Sequence, residues 1–104
     1  MLDGDAPRPG DLAATAVELA LAETSDAHQA VWDSLGRVER VTVLTLAVGG
    51  APSGSRAAAE HRVARSTLRE ALERLLDSEQ HVRRDDTGRP YLIDPLFAQW
   101  LRRR

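Results

Sequence analysis

Cysteine and lysine are both absent from this chain, and each absence removes a class of chemistry. Without cysteine there are no disulfides and no thiolate metal sites. Without lysine there is no Schiff-base nucleophile. The glycine-rich stretch Gly49-Gly50-Ala51-Pro52-Ser53-Gly54-Ser55 is therefore a turn and not a nucleotide-binding P-loop, which needs a lysine after its glycines. Aromatic residues make up only 4%, so the core must be built from leucine, valine and alanine, a composition that favours helices. No apolar run approaches the ~18 residues that cross a bilayer. The acidic, Pro/Gly-rich start Met1–Gly10 is unlike a signal peptide. A soluble, cytoplasmic protein without membrane contact is expected. His28, His61 and His81 lie far apart without metal-ligand spacing, so no metal or cofactor is expected. Asp85-Asp86 sits in a turn, where aspartate is common, and no catalytic constellation can be assembled. The chain does not read as an enzyme.

What is present is an ordinary globular balance, 42% hydrophobic and 29% charged over 104 residues, enough for one small domain with a helical extension. The net charge of −2 argues against nucleic acid until its distribution is considered. Residues 1–50 hold eight acids and three arginines, a balance of −5; residues 51–104 hold eight acids and eleven arginines, a balance of +3. Net charge bears on partners rather than fold, so the basic half is where an anionic partner is expected.

Along the chain, residues 1–10 read as a flexible lead-in closed by Pro9-Gly10. Asp11 can cap a helix to about Ala22, with Leu12, Ala16, Leu19 and Ala20 on one stripe and Ala13, Val17 and Leu21 beside it. That helix is apolar over much of its circumference and is expected to pack on other elements. Thr24-Ser25-Asp26 reads as a stop and restart, Asp26 and Gln29 forming a capping box for a second helix with Ala27, Val31, Trp32 and Leu35. Gly36 is expected at C′ in the left-handed conformation. Arg37–Val48 fits either a β-branched strand or a helix; Val38, Val41, Leu44 and Val48, with Gly49-Gly50 as terminator, favour the helix. Residues 11–50 are thus N-terminal helices.

In residues 51–94, Ser55 can cap a short helix over Arg56–Arg62. A longer one spans Arg65 to Glu79 with Leu68, Leu72, Leu75 and Leu76 as its buried stripe. Two strands, His81–Asp85 and Arg89–Asp94, flank Asp86-Thr87-Gly88, where glycine allows positive φ. Residues 95–104 form a last helix capped by Asp94, with Leu96, Phe97, Trp100 and Leu101 on its apolar face. Arg102–Arg104 suit its C-terminal dipole. Trp32 and Trp100 read as core anchors.

The fold class expected is mostly α with a small β-hairpin: a winged helix-turn-helix with an N-terminal helical extension and a C-terminal helix, one compact domain. Ala58 and Ala59 let the short helix approach the longer one, and Val63 plugs the turn. The outward face of the longer helix then carries Arg65, Ser66, Arg69, Glu70, Glu73 and Arg74. In a major-groove docking, Arg65 and Arg69 fork onto guanine or phosphate, Ser66 and Thr67 donate to phosphate, and Arg74 lies further along. Arg83, Arg84 and Arg89 flank the hairpin tip and reach a neighbouring backbone. Against this stands a solvated face, in which Glu70–Arg74 and Arg69–Glu73 pair at i, i+4 and Arg83, Arg84 and Arg89 guard a strand edge.

The segment Val63–Leu75 (VARSTLREALERL) resembles the recognition-helix segment of bacterial winged-helix regulators of the GntR type. A broader likeness covers Ala27–Leu35 (AHQAVWDSL), Arg40–Gly50 (RVTVLTLAVGG) and the ending Ile93–Leu101 (IDPLFAQWL). These are similar to the C-terminal winged-helix region of prokaryotic P-loop ATPases of the archaeal type. The resemblance implies an accessory C-terminal module of an ATPase, or a regulator, that binds double-stranded DNA. The alternative, supported by the overall acidic balance, is a module that packs on an ATPase domain or another protein without binding DNA. Two departures from the pattern stand out: Arg62 occupies the turn position usually held by glycine, and Ala64 replaces the usual serine or threonine cap.

Overall fold

A computed structural model describes residues 9–104; of the lead-in expected over residues 1–10, residues 1–8 lie outside them. Helix α1 spans Pro9–Ser34, α2 Arg37–Ala47, α3 Ser55–His61 and α4 Arg65–Ser78. An antiparallel hairpin of β1 (Val82–Arg84) and β2 (Pro90–Leu92) follows, and α5 covers Pro95–Arg102. The chain is therefore mostly helical with one small hairpin.

The main departure from the sequence expectation is α1. It is one helix, beginning at Pro9 within the supposed lead-in and running without a break through Thr24-Ser25-Asp26. The local stop signal goes unused. The Thr24 hydroxyl donates to the Ala20 carbonyl at 2.7 Å and Gln29 donates to Asp33 at 2.9 Å, so neither side chain serves a new helix start. Hydroxyl-to-carbonyl bonds of this kind satisfy threonine inside a helix. Nor is Gly36 left-handed. At φ −71° and ψ 166° it is extended and N-caps α2, its N–H donating to the Glu39 carboxylate at 2.9 Å. The carbonyls ending α1 are served instead by Arg40, whose Nε donates to the Trp32 oxygen at 3.0 Å. The helical reading of Arg37–Val48 holds, and Gly49 ends α2 with φ 78°.

Two adjoining clusters form the core. Leu35, Val43, Ala47, Leu72, Leu75, Val82, Phe97 and Leu101 make the larger, with Trp32 and Trp100 packed on its edge. Val41, Ala57 and Leu68 make the smaller, with Val38, Ala58 and Val63 against it. The alanine that seats α3 is thus Ala57, assisted by Ala58, whereas Ala59 faces solvent. His28 is buried in α1 under the α5 aromatics, its ring 5.6 Å from Phe97 and 6.0 Å from Trp100, and its Nε2 3.6 Å from the Asp94 carboxylate. Asp94 also caps α5, accepting from the Leu96 N–H at 2.9 Å as the sequence suggested.

Ser55 is the first helical residue of α3 rather than its cap; Gly54 takes that place. The hairpin strands are shorter than expected, although the bonds from Ile93 N–H to His81 and from Asp85 N–H to Arg89 continue the pairing at both ends. Arg102–Arg104 do more than offset a dipole. Arg102 donates to the Ala47 carbonyl at 2.7 Å, Arg103 pairs with Glu18, and Arg104 lies over Trp32 and Trp100.

The link from α3 to α4 turns on Arg62, which is left-handed at φ 56° and ψ 46°, with the Val63 N–H closing on the Ala58 oxygen at 3.0 Å. A side chain there costs about 1 kcal/mol relative to glycine. Because Arg62 is exposed, Arg62→Gly should stabilise the protein by roughly that amount in urea unfolding. A loss of stability would show instead that the arginine side chain holds the turn.

Candidate nucleic-acid interface

Helix α4 presents the expected stripe in part, with Ala71 buried and Leu76 only half-buried. Leu68, Ala71, Leu72 and Leu75 point inward, because residues three and four apart share one face of a helix. The opposite side, bearing Ser66, Arg69, Glu70, Glu73, Arg74 and Asp77, borders a shallow open groove. Arg65 stands at the first turn, and its Nε donates to the Ser53 carbonyl at 3.1 Å, so its guanidinium is anchored to the loop before α3.

That first turn carries an anion-directed arrangement. Ala64 is the N-cap and offers no side-chain acceptor. The Leu68 N–H bonds back to the Ala64 oxygen, while the N–H groups of Arg65, Ser66 and Thr67 find no acceptor among the described residues. Free N–H groups aligned with the positive end of a helix dipole favour an anion. Arg62, Arg65 and Arg69 follow at intervals of three and four residues, all exposed. Arg37 joins them from α2, donating to the His61 carbonyl at 3.1 Å. Arg37 and Arg62 were absent from the sequence-derived set. Arg62 had a signal, as the charged residue in a turn position usually glycine; Arg37 had none, since it lies 24 residues before His61.

Further along α4 the charge balances. Arg74 is accompanied by Glu70, Glu73 and Asp77. Neither expected i, i+4 pair forms; Glu73 is taken by Arg84 of the hairpin at 3.2 Å. Arg84 also donates to the Gly88 carbonyl at 3.0 Å, which turns it toward α4.

The hairpin arginines divide between two faces. Pairing sets Val82 opposite Leu92, Arg83 opposite Tyr91 and Arg84 opposite Pro90. Side chains alternate along a strand, so Arg83, Tyr91 and Arg89 share one face, and Val82, Arg84 and Leu92 the other. Of the eight residues singled out from the sequence, Arg65, Ser66, Thr67, Arg69, Arg74 and Arg84 belong to the α4 side; Arg83 and Arg89 face away from it. The loop between the strands is ordered by Asp85, whose carboxylate accepts from the Thr87 hydroxyl at 2.6 Å, the Thr87 N–H at 2.8 Å and the Arg89 N–H at 3.0 Å. These bonds, the Thr87 hydroxyl foremost, hold the Asp85 carboxyl below its usual range. Gly88 supplies the positive φ of 85°.

Among the described residues, no His, Asp and Glu side chains group to hold a metal ion, and no helix is long and apolar enough to cross a membrane. No family model, curated protein or solved structure matches this chain.

Proposed function

We propose that the chain is a non-enzymatic winged helix-turn-helix module that binds double-stranded DNA. In this reading α2, α3 and α4 are its three helices, the hairpin is its wing and α4 its recognition helix. The observation that carries it is the first turn of α4, where unpartnered N–H groups of Arg65, Ser66 and Thr67 stand beside the exposed Arg62, Arg65 and Arg69. Backbone N–H groups at a helix start grip a phosphate and arginine forks onto phosphate or guanine, so this turn can both position and read a duplex. The wing contributes less, because Arg84 is committed to Glu73, and Arg83 and Arg89 lie on the face turned from α4. The resemblance to ATPase C-terminal regions and to GntR-type regulators supports an accessory or regulatory role in the cytoplasm.

Fluorescence anisotropy of a labelled random-sequence duplex, at low and moderate salt, tests this. The apparent affinity should fall with salt at a log–log slope near −0.9 for each phosphate contact. Arg65→Ala/Arg69→Ala should weaken binding about tenfold or more and flatten that slope by about two contacts. Arg83→Ala/Arg89→Ala should weaken it less. A folded sample with no salt-dependent binding would exclude DNA as the partner. The balanced charge along the rest of α4 would then favour a second reading, in which the same fold packs on an ATPase domain or another protein.

A further inference from the structure

Helix α1 is 26 residues long, about 39 Å at 1.5 Å per residue, and only its C-terminal part is built into the core. In its outer half Leu12 and Leu19 are 56% and 60% exposed, whereas Leu21 is 7% exposed. At about 100° per residue, Leu12, Ala16 and Leu19 fall on the side of α1 opposite Leu21 and His28. They cannot reach their own core. With the exposed Ala13 and half-buried Val17 and Ala20 they form an apolar stripe more than about 100° wide, the width of a face that packs against something.

A second surface begins where that stripe ends. Beside Val17 a groove of about 620 Å³ opens between α1, the hairpin and α5, with Leu46, Leu92, Leu96 and Tyr91 in its walls and Arg89, Arg102 and one acid, Asp85, at its border. Tyr91 is 44% exposed in it, and Arg89 forms no ion pair among the described residues. The groove border holds two arginines against one aspartate, and the helix is acidic. Helix α1 carries Asp11, Glu18, Glu23, Asp26 and Asp33 and contains no arginine. Glu18 already accepts Arg103 from the end of α5, so an arginine–α1 pairing is part of this fold.

We propose that these surfaces meet between two copies of the chain, the outer half of each α1 lying in the groove of the other about a twofold axis. Both halves of the interface are on one chain, yet the rigid helix keeps its own Leu12 and Leu19 turned away from its own groove. A reciprocal arrangement satisfies both copies at once, as a twofold interface requires. Pairing α1 with α1 along the leucines alone would oppose acid to acid; seating it in the groove opposes acid to arginine and leucine to Leu92, Leu96 and Tyr91. A stable interface covers about 800 Å² on each partner, a modest part of the 6870 Å² surface.

The inference is independent of DNA binding, and its test contains no nucleic acid. Sedimentation equilibrium of the whole chain from about 5 to 500 μM should show a monomer–dimer equilibrium with Kd in the micromolar range. Leu12→Gln/Leu19→Gln should weaken it by about tenfold or more. Both positions are exposed, so the variant's circular dichroism and thermal unfolding should match the parent at dilution. Arg89→Glu should also weaken the dimer. A parent protein that stays monomeric at about 500 μM overturns the proposal, as does a dimer indifferent to both variants.

Discussion

Leu68→Ala should lower the unfolding free energy by about 2–5 kcal/mol, the usual cost of emptying a leucine-sized space that its neighbours cannot refill. Leu68 has no exposed surface and is the one large side chain among the buried members of the cluster that joins α3 to α2 and α4. Its neighbours Val41, Ala57, Ala58 and Val63 are short and β-branched or already minimal, so they cannot reach into the space. Small domains are held by about 5–15 kcal/mol, so this single change consumes a large share of the total. Urea unfolding with an unchanged slope would report it as a shifted midpoint. A loss under about 1 kcal/mol would mean that α3 does not rest on α4 through Leu68.

Phe97→Ala is the second large effect, about 3–5 kcal/mol, and it acts in the larger core cluster. Phe97 is buried, stacked 5.9 Å from Trp100 at 17°, with His28 of α1 on one side and His81 at the hairpin start 6.3 Å away. Its ring therefore ties α1 and α5 to the hairpin, where Val82 belongs to the same cluster. If both clusters belong to one cooperative unit, tryptophan fluorescence and far-ultraviolet circular dichroism of the variant should follow one shared transition, as two-state unfolding requires. Trp32 and Trp100 both pack on this cluster, so separate transitions would be visible and would show α1 and α5 unfolding before the remainder.

The candidate site was legible in part, for reasons visible in particular residues. Arg65, Ser66 and Arg69 could be placed on an outward face because the inward stripe Leu68, Leu72 and Leu75 defines the opposite one. Ala64 stands in the sequence only as a departure from the usual serine or threonine cap; that it leaves the first N–H groups of α4 open is seen in the structure. The ion pairing was not legible. On sequence spacing Glu73 belongs with Arg69, yet Arg84 approaches it from the hairpin, eleven residues away, and takes its carboxylate. The division of Arg83 and Arg89 from Arg84 follows from strand register, which a hairpin turn sets only once its strands have formed.

By itself the sequence determined the elements whose signals are local. The leucine periodicity of α4, the Asp94-Pro95 start of α5 and the turn closing on Gly88 each rest on neighbours within a few residues, where backbone geometry and side-chain reach suffice. Tertiary structure decided whatever depends on distant partners. Thr24-Ser25-Asp26 carries a real stop signal, but the capping energy it offers is about 1 kcal/mol, and burying Leu21 and His28 on one continuous helix, with Leu35 just past its end, outweighs it. The same holds for the last arginines: Arg102 reaches the Ala47 carbonyl across 55 residues and Arg103 reaches Glu18 across 85, separations at which sequence spacing says nothing about contact.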